Sequence, residues 1–76
     1  MTESFSERLA FARRHRGLSQ SQLARASGLV NDQAVSRYEC GRQMPKTEAV
    51  VGLARALRVS VDWLIAGRGR GPTVTP

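Results

Sequence analysis

The placement of glycine constrains this chain most. Gly17, Gly28, Gly41 and Gly67 each follow a stretch with helical patterning. They cut the sequence into runs of about 10 to 13 residues, the length of ordinary helices. Gly52 falls inside such a run instead of ending one. No stretch alternates apolar and polar residues cleanly enough for a strand, so the expected fold class is all-α, a five-helix bundle. The first helix is predicted from Phe5 to His15, with Ser4 and Glu7 as a capping box and Phe5, Leu9 and Ala12 on the buried face. Arg13, Arg14, His15 and Arg16 suit its C-terminal end. The second runs from Gln20 to Ser27, capped by Ser19 with Gln22, and turns inward at Leu23 and Ala24. The third runs from Asp32 to Glu39, capped by Asn31, with Val35 and Tyr38 inward. The fourth starts at Thr47 or Glu48 and ends at Leu57, burying Val50, Leu53, Ala54 and Leu57. The fifth, Val61 to Ala66, is capped by Ser60. Residues 1–67 therefore form one domain, and 68–76 are expected to be a flexible tail.

Charge and rare residues narrow the function. The chain has 76 residues and a formal charge of +6, from twelve basic and six acidic side chains. All the basic residues but Lys46 are arginine. Such an excess points to a polyanion partner, nucleic acid above all. One cysteine, Cys40, excludes an internal disulfide framework and a cysteine zinc cluster; one histidine, His15, excludes a histidine-pair metal site. No apolar run reaches membrane-spanning length, and the first ten residues lack a signal pattern, so a cytoplasmic location is expected. No cofactor and no catalytic constellation is expected: the glycine-rich GRGRG trails a helix, His15 lies in a basic run, and Glu3 and Glu7 sit at the terminus.

The segment Ser19 to Gly41 carries the functional signal. Ala24 lets two short helices approach closely, Gly28 permits the sharp turn, and Leu23, Val35 and Tyr38 pin the pair to a core. This is a helix-turn-helix, whose second member is free to enter a DNA major groove. RLAFARRHRGLSQSQLA, then VSRYECG, Pro45 and LARALRVSVDWL resemble the Cro/C1-type (XRE-type) helix-turn-helix repressors of phages and bacteria. The resemblance covers residues 5–67, and GLSQ-x-x-LA followed by S-x-Y-E-x-G is its most specific part. Two features depart from it. One extra residue between Gly28 and Tyr38 extends the turn Gly28-Leu29-Val30-Asn31, and Phe11 replaces a polar residue, as a core extension or an exposed contact.

The resemblance implies roles by position. Gln20 contacts a phosphate and braces the recognition helix. Asp32, Gln33, Ser36 and Arg37 face the bases; Gln33 suits adenine, Arg37 suits guanine or a phosphate, and Asp32 accepts from cytosine or caps the helix. The Ala34 methyl lies near enough to meet a thymine methyl. Arg42, Gln43 and Lys46 lie against the DNA backbone, and Arg13 pairs with Glu39 across two helices. Against these stand plainer readings: solvated glutamines, surface cations, an inert Cys40 thiol. The apolar last helix suggests a dimer seam of Val61, Trp63, Leu64 and Ile65, since so small a domain is marginal alone. The leading expectation is a homodimeric repressor on a palindromic operator. The alternatives are an antitoxin-type module holding a toxin, and a controller or activator that touches RNA polymerase through Asp32 or Glu39. A further one is the DNA-binding part of a longer repressor, with the glycine-rich end as linker.

Overall fold

The computed structural model describes residues 4–29 and 31–72; Glu3, Val30 and residues 73–76, on which some of the expectations above fall, lie outside them. Five helices follow in order: α1 Phe5–His15, α2 Gln20–Ala26, α3 Gln33–Glu39, α4 Thr47–Leu57 and α5 Val61–Ala66. The described residues contain no strand. Local chemistry sets the starts. Ser4 Oγ accepts from the Glu7 N–H while Glu7 Oε1 accepts from the Ser4 N–H, and Ser19 and Gln22 repeat the exchange at α2. Both satisfy N–H groups that a helix start leaves orphaned. Ser60 Oγ likewise accepts from the Trp63 N–H at α5.

The boundaries of α2 and α3 differ slightly from expectation. Ser27 is the C-terminal cap of α2 and not its last residue. Asp32 occupies the cap position of α3 with helical backbone angles and no capping bond from its side chain. The cap is Asn31 after all, acting one residue earlier: its Oδ1 accepts from the Gln33 N–H at 2.8 Å. Six residues thus separate the two helices, consistent with an extended turn. The turn leaves α2 with the Leu29 N–H bonded back to the Ala24 carbonyl at 2.9 Å.

Every helix sends a side chain to one core: Leu9 from α1, Leu23 from α2, Val35 from α3, Leu53 and Leu57 from α4 and Leu64 from α5 are fully buried. Leu64 therefore belongs to the protomer's own interior and leaves the expected dimer seam; with no surface outside, it has nothing to offer a partner. Arg8, which the apolar stripe of α1 passed over, is also buried, at 5% exposed. Its Nε donates to the Leu64 carbonyl at 2.9 Å and its Nη2 to the Ile65 carbonyl at 2.6 Å, so a charged side chain stitches α1 to the C-terminal end of α5. Phe11 extends no core. It is 47% exposed and stacks on the His15 ring at 6.3 Å.

Gly52 explains itself by close approach. A Cβ there would stand 2.5 Å from the Ser27 carbonyl oxygen, backbone of the neighbouring helix end. The Ser27 hydroxyl is itself buried, without a hydrogen-bond partner among the described residues. In an open helix, Gly→Ala stabilises by about 1 kcal/mol. Here the sign reverses, because α2 and α4 must separate to admit the methyl. Gly52→Ala is expected to lose about 1–3 kcal/mol, read as a lower thermal midpoint. A variant that melts at or above the parent temperature would mean that the two helices part without cost.

Candidate nucleic-acid interface

A seven-residue helix such as α3 is too short to hold its shape alone. Its position comes from its neighbours, chiefly through Glu39. That carboxylate accepts from Arg13 Nε at 2.6 Å, from Arg13 Nη2 at 3.1 Å and from Gln20 Nε2 at 3.2 Å. Arg13 Nη1 also donates to the Leu18 carbonyl at 2.9 Å. The side chains of Arg13 and Glu39 are only 13% and 8% exposed, so this is a largely buried, bidentate pair. The hydrogen bonds it donates to Glu39 push the Arg13 guanidinium above its ordinary pKa, further from any pH at which it would lose its charge. On the N-terminal side of α1, Ser6 Oγ donates to the Tyr38 carbonyl at 2.7 Å. Three hydrogen bonds from α1 and one from α2 thus grip the C-terminal half of α3.

The other face of α3 is open. Asp32, Gln33 and Arg37 are exposed and Ser36 is half-buried. Gln33 and Arg37 stand one turn apart, with Arg37 Nη2 3.5 Å from Gln33 Oε1. Together with Gln20, Ser21 and Arg42 they line one shallow hollow between α2 and α3. Gln43 and Lys46 line a second, separate hollow with Ser27, Leu29, Tyr38 and the first turn of α4. The residues expected at DNA phosphates therefore fall into two groups: Gln20 and Arg42 beside Gln33, Ser36 and Arg37, and Gln43 and Lys46 at the start of α4. Ala34 is half-buried and packs against the core, which leaves its methyl little outward surface. Ser21 is not among the residues expected from the sequence; it is exposed in the first turn of α2, next to Gln20.

The remaining expected positions sort by exposure. Val61 and Ile65 are 40% and 44% exposed, and Trp63 is half-buried. Cys40 is an exposed free thiol. Among the described residues no group of three or more His, Cys, Asp or Glu is placed to hold a metal ion, and no helix is long and apolar enough to cross a membrane.

Glu39→Gln tests the grip. The amide keeps the shape but leaves the Arg13 charge buried without its counter-ion. A loss of about 3 kcal/mol in unfolding free energy is expected from denaturant titration. Stability within a few tenths of the parent would remove Glu39 as the anchor of α3.

Comparison with known proteins agrees with this architecture. The helix-turn-helix family matches residues 9–64. The HTH-type transcriptional regulator for conjugative element SXT of Vibrio cholerae is 36% identical over 67 residues, covering 88% of this chain and 30% of the relative. The SPbeta prophage-derived HTH-type regulator YonR of Bacillus subtilis is 35% identical over 63 residues, covering 83% of this chain and 57% of the relative. The chain thus spans less than two thirds of the length of either regulator. Among solved structures, the P22 c2 repressor in complex with a synthetic operator superposes with a TM-score of 0.82 at 28% identity, over 88% of this chain and all of that one. The restriction-modification controller protein C.AhdI of Aeromonas hydrophila gives 0.77 at 33% identity, over 84% of this chain and 96% of that one. These relatives are regulators and not enzymes. The match across residues 9–64, the five-helix architecture and the Glu39-anchored pair α2–α3 establish that the chain belongs to the helix-turn-helix family of the Cro/C1 (XRE) type.

Proposed function

We propose that the protein is a sequence-specific DNA-binding repressor that acts as a homodimer, each copy laying α3 in a major groove of a palindromic operator. One observation carries this reading. Gln33, Ser36 and Arg37 project from the open side of a helix whose other side is clamped, and Gln20 and Arg42 flank them around the same hollow. A helix of seven residues is about 10 Å long, and the major groove is about 12 Å wide. Gln33 and Arg37, one turn apart, reach bases about two steps apart. Gln33 offers an amide that fits adenine N6 and N7, Arg37 a fork that fits guanine O6 and N7. Arg42 and Lys46 supply salt-sensitive attraction to phosphate, within a chain of formal charge +6. The P22 c2 repressor, bound to a synthetic operator, supports the docking mode, and the exposed Val61 and Ile65 support pairing through α5.

The likeness to a restriction-modification controller protein keeps a second reading in view, an activator that also touches RNA polymerase. It would need an accessible acidic residue near α3. Glu39 is committed to Arg13 and Gln20, so Asp32 is left to serve.

Selection from a random DNA pool at near-physiological salt tests the class. The expected product is a palindrome with half-site centres about 10 base pairs apart, or a multiple of one turn. No enrichment would sink the repressor reading. On the selected site, Gln33→Ala is expected to lose about 1–3 kcal/mol and to change little on random DNA. Arg42→Ala should weaken both alike and flatten the salt dependence by about one unit of slope. Should Gln33→Ala weaken both alike, Gln33 does not read bases; an unaltered slope removes Arg42 from the phosphates.

A further inference from the structure

Gln33 and Arg37 stand four residues apart on α3, the spacing that brings side chains together on one face of a helix. Arg37 Nη2 lies 3.5 Å from Gln33 Oε1, and both side chains are exposed. Chemistry fixes the polarity of this contact. A guanidinium donates hydrogen bonds and accepts none. The end of the Gln33 amide that faces Arg37 is therefore the oxygen, and the NH₂ group is turned away from Arg37. The nearby amides do not set it. Gln20 gives its NH₂ group to Glu39 at 3.2 Å, and Asn31 Oδ1 holds the backbone N–H of Gln33 and not its side chain.

A freely turning glutamine amide is an ambiguous reader of purines. Its oxygen and NH₂ group, side by side, match the N6 hydrogen and the N7 acceptor of adenine. Turned over, the NH₂ group can donate to guanine O6 or N7 instead. We propose that Arg37 is a positioning residue for Gln33: it holds the amide in the sense that accepts adenine and rejects guanine. One lone pair of the Gln33 oxygen takes the Arg37 N–H, the other is left for adenine N6, and the NH₂ group meets N7. Guanine at the same place would set its O6 against the Gln33 oxygen, two acceptors with no proton between them. Such an exposed pair contributes little to the free protein. It strengthens once a groove excludes water around it. The rest of the Arg37 fork stays free for its own contact, so the two side chains read as one unit. The inference deepens the repressor reading above and rests on it.

Selection from a random DNA pool, run in parallel on the parent, Gln33→Ala, Arg37→Ala and Arg37→Lys, tests the coupling, with circular dichroism to check that each variant is folded. Gln33→Ala marks the position that Gln33 reads, expected to be adenine for the parent. In Arg37→Ala the preference for adenine over guanine at that same position is expected to fall about tenfold, measured by competition between sites that differ there alone. Arg37→Lys keeps a donor for the Gln33 oxygen but lacks the planar fork that fits guanine. It is expected to restore the adenine preference while the Arg37 contact itself stays weak. An adenine preference unaltered in Arg37→Ala would overturn the coupling and leave the repressor reading standing. So would an equal loss in Arg37→Ala and Arg37→Lys, which would assign the effect to the arginine's own contact. Guanine at the Gln33 position of the parent site, or a Gln33→Ala that relaxes no position, would overturn the assigned polarity. No enriched site for the parent would overturn the repressor reading and the coupling together.

Discussion

A carboxylate that is almost out of water must find donors, and Glu39 finds three, on two side chains from two other helices. The energetic asymmetry of such a site shapes the domain. The assembled pair adds little net stability over an apolar alternative, yet a missing partner leaves a buried charge that is expensive. The arrangement therefore works as a specification of geometry. Few positions of α3 satisfy Arg13 and Gln20 together. The open face of α3 inherits that precision although nothing touches it from outside.

The core supports the same point from the other side. Leu23, Val35 and Leu9 pack from α2, α3 and α1 into one cluster, and Gly52 lets α4 press against the end of α2. Hydrophobic packing is non-directional and holds the helices together without choosing their angular setting. Directional bonds make that choice: Glu39 for α3, and Arg8 for α5 through the Leu64 and Ile65 carbonyls. Two buried or half-buried arginines of α1 thus set the orientation of α3 and of α5.

What was legible in the sequence follows the range of the interactions. Ser4 with Glu7 and Ser19 with Gln22 act across three residues, so their pattern is on the page of the sequence, and the starts of α1 and α2 fall where expected. Asn31 was readable as a cap, but the exact start of α3 was not, because the extended turn shifts the pairing by one residue. Arg8 was invisible: its acceptors lie 56 and 57 residues away, and nothing local marks one arginine among eleven as buried. On α5 all four apolar residues looked alike. A helix of six residues shows too little periodicity to separate Leu64, which faces the core, from Val61 and Ile65, which do not. The GRGRGP run read as a tail, since a backbone bond from Ser60 to Arg70 leaves no side-chain signature. The Arg13–Glu39 pair and the brace from Gln20 were accessible through the family resemblance alone; composition and spacing do not reveal them.

Gln20 joins the two halves of the site, and its chemistry limits what it can do at DNA. Ionised Glu39 accepts hydrogen bonds and donates none, so it fixes which end of the Gln20 amide faces it: the NH₂ group, at 3.2 Å. The carbonyl end is then turned away from Glu39. A phosphate needs donors, and a carbonyl oxygen repels it. Gln20 can thus serve a phosphate through the second N–H of the same amide, in line with the bond to Glu39 and not in place of it. Under the reading proposed above, the brace and a phosphate contact would share one geometry: the bond that holds α3 also aims the second N–H. A swung-out Gln20 would gain a free amide and give up its bond to Glu39, leaving α3 held by Arg13 and Ser6 alone among these bonds, so under that reading the reach of α2 and the setting of α3 are tied together.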